Sequence, residues 1–168
     1  FERYVPDLGA SHQRLRALAA LRGEIKGVKK PLVVASIRAA TQATLERAAF
    51  DSSTHLLSVR DGINLEAQVR QWLDMGYSQE PTVEIPGTIS RRGGILDIFP
   101  VSRDRPVRIE LFDDEIETIR HFDPGTQRST GKIRSITIPP AHETLPRLAS
   151  EDRVQELLGA MELIGTSK

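Results

Sequence analysis

The sequence predicts an α+β fold: an antiparallel β-sheet module with a packed helix, flanked by partial α/β segments. Three observations predict it. From Pro81 onward, short alternating apolar runs follow one another between turn residues, the pattern of an antiparallel sheet. Just before them, residues 64–74 carry apolar side chains at helical spacing between a capping Asn64 and a stopping Gly76. Residues 1–53 read as helix, strand and helix, an α/β layer too short to be a complete domain.

Taken in order, residues 11–22 form a helix with Leu15, Leu18 and Leu21 on one face, Ser11 as its cap and Gly23 as its stop. Residues 26–30 are a basic turn. "PLVVAS", 31–36, is a short buried strand, and "IRAATQATLERA" after it is helical in composition. Composition changes near Thr54, where "THLLSV" reads as a strand. Helix 64–74 carries Leu65, Val69, Trp72 and Leu73 on its stripe. Val83 and Ile85 lead into Gly87, Ile89 leads to Arg91, and "GGILDIF", "PVRIELF", "DEIETIRHF" and "KIRSITI" follow as strands. "PPAHE" marks the exit, and 151–163 is a final helix with Val154, Leu157, Leu158 and Met161 inward.

Bulk composition narrows the function. Lys plus Arg equals Asp plus Glu at 23 each, so the whole-molecule basic footprint usual in nucleic-acid binders is absent. Without cysteine, disulfides, thiol nucleophiles and thiolate zinc sites are excluded. That composition fits a reducing compartment, and no apolar run approaches the roughly 20 residues of a membrane span; the expectation is a cytoplasmic chain with no membrane contact. The chain opens FERYVPD and stops just after a helical stretch, so it reads as a piece of a larger protein.

Three motifs imitate chemistry. "GTQRSTGKI", 125–133, resembles a phosphate loop, but five residues separate its glycine from Gly131-Lys132 where four are needed. Ile133 also stands where a hydroxyl would hold magnesium. The acidic run Asp113, Asp114, Glu115 follows an alternating strand rather than an all-apolar buried one. A hairpin turn, where Asp is favoured for backbone reasons, is its better reading, and a metal site the lesser one. His12, His55, His121 and His142 have no ligand spacing and no nucleophile nearby. No catalytic or metal-binding constellation assembles.

"SRRGGILDIFP", 90–100, sets paired arginines against paired glycines, as a phosphate cradle or a tight hairpin would. The strand after Pro106 favours the hairpin. Val107, Ile109 and Leu111 point to the core, and Arg108, Glu110 and Phe112 point outward, where an aromatic is either covered or waiting for a partner. Arg91 or Arg92 can also project outward, but a regular strand cannot send both the same way. Residues 87–112 carry a net charge of +2 and residues 113–123 a net charge of −4, so the module is polarised. An arginine-aromatic face is either an ordinary solvated sheet face or the composition of a protein interface.

"RGGILDIFP", "PVRIELFDDEIETIRHFDPGTQRS" and "ITIPPAHE" together resemble the bacterial transcription-repair coupling factor family (Mfd), in its amino-terminal part similar to the repair protein UvrB. The resemblance is strong over 54–143. It divides the chain into 1–53, a partial helicase-like segment similar to UvrB domain 1a; 54–139, similar to the UvrB domain 2 docking module; and 140–168, the start of a segment similar to domain 1b. It implies a non-enzymatic adaptor that binds the damage-recognition ATPase UvrA and recruits nucleotide excision repair to stalled RNA polymerase. By the same resemblance, ATP, magnesium, RNA polymerase and DNA are bound by other regions of the parent chain, and this region holds no cofactor. The family's UvrA-contacting residues carry over to Arg92, Arg108 and Phe112, with Arg91 and Glu110 as additional candidates. Arg91, where relatives often have a small or apolar residue, departs from the pattern. A fragment of UvrB itself and a metal-dependent nuclease using Asp113, Asp114 and Glu115 are the alternatives.

Overall fold

The computed structural model describes residues 8–23 and 30–143. Its elements are α1 (Leu8–Leu21), α2 (Ile37–Thr41), α3 (Arg47–Ser52), β1 (His55–Ser58), α4 (Leu65–Asp74), β2 (Ser78–Gln79), β3 (Thr88–Arg92), β4 (Ile95–Ile98), β5 (Val107–Phe112), β6 (Glu115–Phe122), β7 (Ser129–Ile133) and β8 (Ser135–Ile138). The fold is α+β. Strands β2 to β7 form one sheet in sequence order, and β1 pairs with β8 in a second. Every pairing is antiparallel except that of β2 with β3.

Local chemistry explains the central helix. Asn64 Oδ1 accepts the Ala67 N–H at 2.9 Å, satisfying one of the donors a helix start leaves open. Gly76 ends α4 at φ +90°, and a β-carbon there would lie 2.7 Å from the His142 ring. The exit segment is sewn to this point: Ala141 N–H donates to Met75 O at 2.9 Å, and the Tyr77 hydroxyl to Pro139 O at 2.8 Å. Trp72, Met75 and Tyr77 therefore sit in the main core with Leu96, Ile98, Val107, Ile109, Ile116 and Ile119. Leu73 lies outside it, 40 % exposed, and the helix buries Gln68 instead.

The amino-terminal segments differ from the sequence reading. Helix α1 begins at Leu8, so Ser11 lies inside it rather than capping it. Leu15 and Ala19 reach the main core, whereas Leu21 is exposed. "PLVVAS" forms no strand: Leu32 and Val34 are about nine-tenths exposed, at 91 % and 90 %. A strand needs a neighbour for its backbone, and no described strand lies alongside this one. The helix after it is two short helices with a break at 42–46. Ser36 caps the first by accepting the Ala39 N–H.

Two further corrections concern the β module. Val83 and Ile85 lie in a loop, with Val83 buried and Ile85 exposed. "KIRSITI" is divided at Arg134 between β7 and β8, which belong to different sheets. The final helix expected at 151–163 lies outside the described residues.

Candidate docking site

The β3–β4 hairpin answers what the paired arginines and glycines do. Arg92 pairs with Ile95, leaving Gly93 and Gly94 as a two-residue loop. Gly93 has φ +59° with open space where a β-carbon would go, so glycine is needed there for conformation and not for room. Positive φ at the first loop residue alone is the mark of a type II′ turn, whose twist suits a hairpin. The stretch is a turn, not a phosphate cradle.

Register then separates the arginines. Arg91 stands in the row of Leu96, Ile109 and Ile119, the core face, where it runs out beside α4 with Glu66 at 3.8 Å. Arg92 is on the opposite face. Across that outer face one row holds Ser90, Asp97, Arg108 and Arg120, and the next holds Arg92, Ile95, Glu110 and Thr118.

Asp97 joins the two candidate arginines. Arg108 grips its carboxylate with two hydrogen bonds, Nε to Oδ1 at 2.7 Å and Nη2 to Oδ2 at 2.8 Å. Arg92 Nη2 donates to Oδ2 at 2.7 Å. The Asp97 side chain is 1 % exposed, Arg108 15 % and Arg92 48 %. Arg108 also lies over the Phe122 ring, 4.8 Å from its centre, and its pKa is pushed up, chiefly by the hydrogen bond to Asp97. So Arg108 points away from the main core as the alternation requires, yet it is not a free side chain. It is a buttress for Asp97, and Arg92 is the arginine that reaches solvent.

The rest of the face is similarly braced. Glu110 accepts from Thr118 Oγ1 at 2.6 Å and lies 3.1 Å from Arg120. Phe112 is 71 % exposed at the strand end, next to the hairpin, where Leu111 N–H donates to Gly94 O. The register shifts between Glu110 and Leu111, where Glu117 on β6 goes unmatched, and Leu111 packs on the main core only partly buried. A second, small core of Val83, Phe99 and Phe122 covers the other end of the face, with Gln127 Nε2 donating to Val83 O at 3.2 Å.

Sequence reasoning missed Asp97 as a site residue. The signal was present: in "ILDIF" it is the polar member of the outward set, with arginines available on either side. Its neighbours become visible only with the strand order. The other candidates resolve plainly. Asp113 and Asp114 form the two-residue β5–β6 turn, Asp113 with φ +52°. Among the described residues no group of three or more His, Asp or Glu could hold a metal ion. In the loop at 123–127, the Thr126 N–H donates to the chain's own Asp123 carboxylate at 2.7 Å, and this bond holds the Asp123 pKa down. Where a phosphate loop would offer that N–H to a ligand, here it is taken.

A family model described as the UvrB interaction domain matches residues 56–143. The chain is also similar to proteins named transcription-repair-coupling factor. That of Myxococcus xanthus is 36 % identical over 145 residues, 86 % of this chain and 12 % of the relative. That of Bacillus subtilis is 37 % identical over 126 residues, 75 % of this chain and 11 % of the relative. That of Staphylococcus haemolyticus is 40 % identical over 101 residues, 60 % of this chain and 8 % of the relative. The chain thus spans about a tenth of the length of these relatives.

Proposed function

The chain belongs to the UvrB interaction domain family, and from that premise we propose that it is a non-enzymatic docking module for UvrA within a transcription-repair-coupling factor. In this reading it works in the cytoplasm and brings nucleotide excision repair to RNA polymerase stalled at damage. Translocation on DNA, nucleotide with magnesium, and polymerase contact belong to other parts of the parent chain. The observation that carries the reading is the outer face of β3 to β5: an exposed Phe112 at the end of β5, next to the Gly93–Gly94 turn, and an Arg92 that leads into that turn, held in place by a buried carboxylate that Arg108 locks from the other side.

That arrangement suits a hot spot. A flexible arginine loses side-chain freedom on binding, and one already held by a hydrogen bond loses less. Arg92 uses one nitrogen on Asp97, which leaves its other donors for an acidic partner group. Phe112 adds apolar area at low entropic cost. The test is capture of purified UvrA by the immobilised chain. Retention by the parent, and loss with Arg92→Ala and Phe112→Ala, supports the reading. Absence of UvrA from the parent chain overturns it.

A further inference from the structure

A second surface lies away from the Arg92–Phe112 face, where the two sheets meet. There the end of β1, the middle of β6 and the β7–β8 junction enclose a groove of about 860 Å³. Arg60, Lys132 and Arg134 line it, against one carboxylate, Glu117. All three cations are exposed, and none makes an ion pair among the described residues. Arg60 is held there at φ +79°, a conformation that residues with a β-carbon seldom adopt. Its N–H donates to Ile116 O at 2.8 Å, and the Val59 N–H beside it donates to Arg134 O at 2.9 Å. Three like charges converging on one groove repel one another, and an anionic occupant would relieve that.

A backbone edge adjoins the groove at Lys132 and Ile133, the two β7 residues that line it. β7 closes the six-stranded sheet, so one of its sides has no ladder partner among the described residues, and residues 129–132 are exposed. Such an edge is a template for an added strand. Val59 and Ile133, both half-buried, give the groove an apolar component. No aromatic lines it, so there is no platform on which a nucleic-acid base could stack. Free ladder groups and apolar contacts suit a polypeptide, and the charge selects an acidic one.

We propose that this groove receives an extended acidic segment of a partner protein, added as a strand along β7 and held by Arg60, Lys132 and Arg134. The site is independent of the UvrA reading. The test is fluorescence anisotropy of the whole 168-residue chain with a short labelled peptide alternating Glu and Val. Saturable binding is expected, weakened about tenfold or more by Lys132→Glu with Arg134→Glu and left unchanged by Phe112→Ala. Methylating alternate peptide nitrogens, which blocks the ladder, should weaken it too. The milder pair Lys132→Gln with Arg134→Gln serves if charge reversal lowers the thermal midpoint. No binding, equal binding of a Lys–Val peptide, or insensitivity to both pairs of substitutions overturns the proposal. Tighter binding of a single-stranded DNA oligonucleotide than of the Glu–Val peptide also overturns it and assigns the groove to nucleic acid.

Discussion

Asp97→Asn isolates what the buried carboxylate does. The change keeps the side chain's shape, removes its charge and replaces one acceptor oxygen with a donor. Three charge-assisted hydrogen bonds of 2.7–2.8 Å converge on Asp97. They are not equal. Arg92 is half in water, so its bond resembles a surface ion pair, worth about 0–1 kcal/mol. Arg108 is 15 % exposed and bound by two parallel bonds, so it behaves as a buried pair. Removing one partner of such a pair costs about 3–5 kcal/mol, because the other is left charged and desolvated. Some water reaches Arg108, so the lower end applies, about 3 kcal/mol. For a cooperative module of this size that lowers the thermal midpoint by at least about 10 °C. Urea unfolding at neutral pH reads the same loss as a lower midpoint with an unchanged slope. A variant within about 0.5 kcal/mol of the parent would refute the view that Asp97 is the keystone of the face.

Ile109→Ala removes a fully buried side chain from the centre of β5 and should cost about 2–5 kcal/mol; Leu111→Ala, at the bulge and only partly buried, should cost less, and unfolding curves that rank them the other way would contradict the register. Gly76→Ala should destabilise strongly, because the new β-carbon meets the His142 ring at 2.7 Å on a backbone with φ +90°; an unchanged thermal midpoint would contradict the packing. His12 has its pKa lowered below 6.5, first by burial and then by His142. Between that folded pKa and 6.5 the unfolded chain binds more protons than the folded one, so stability rises with pH and is lost as pH falls from 6.5 toward the folded pKa. His55, also lowered by burial, acts in the same direction. Thermal midpoints from pH 7.5 to pH 5 should fall less steeply for His12→Gln than for the parent, and parallel curves would count against this account.

What was legible in the sequence was what local chemistry decides. The cap at Asn64, the stop at Gly76 and the glycine pair after Arg92 fix α4 and the β3–β4 hairpin within a few residues. Alternation on β5 gave the outward set Arg108, Glu110 and Phe112, and the structure keeps all three off the main core. Alternation cannot show what lies beside a strand. Arg108 and Asp97 are 11 residues apart and meet only because β4 pairs with β5. Nor does it reveal bulges. The register shifts between Glu110 and Leu111 and between His121 and Phe122 leave no mark on it, and Phe122, two residues from Arg120 on the outer face, meets Val83, Phe99 and Arg108 only through the fold. "PLVVAS" fails for the converse reason: its composition suits a buried strand, but no described strand lies beside it.

The central claim is that Phe112 and Arg92 form one preorganised patch for UvrA. Its most direct test is titration calorimetry of UvrA against the parent chain, Phe112→Ala and Arg92→Ala, with thermal unfolding of each. Truncating an exposed hot-spot side chain costs about 2 kcal/mol in binding, close to 30-fold in affinity. The account predicts that loss for both variants, with the Phe112→Ala midpoint equal to the parent's because that side chain is 71 % exposed. Parent-like affinity for UvrA in both variants would contradict it.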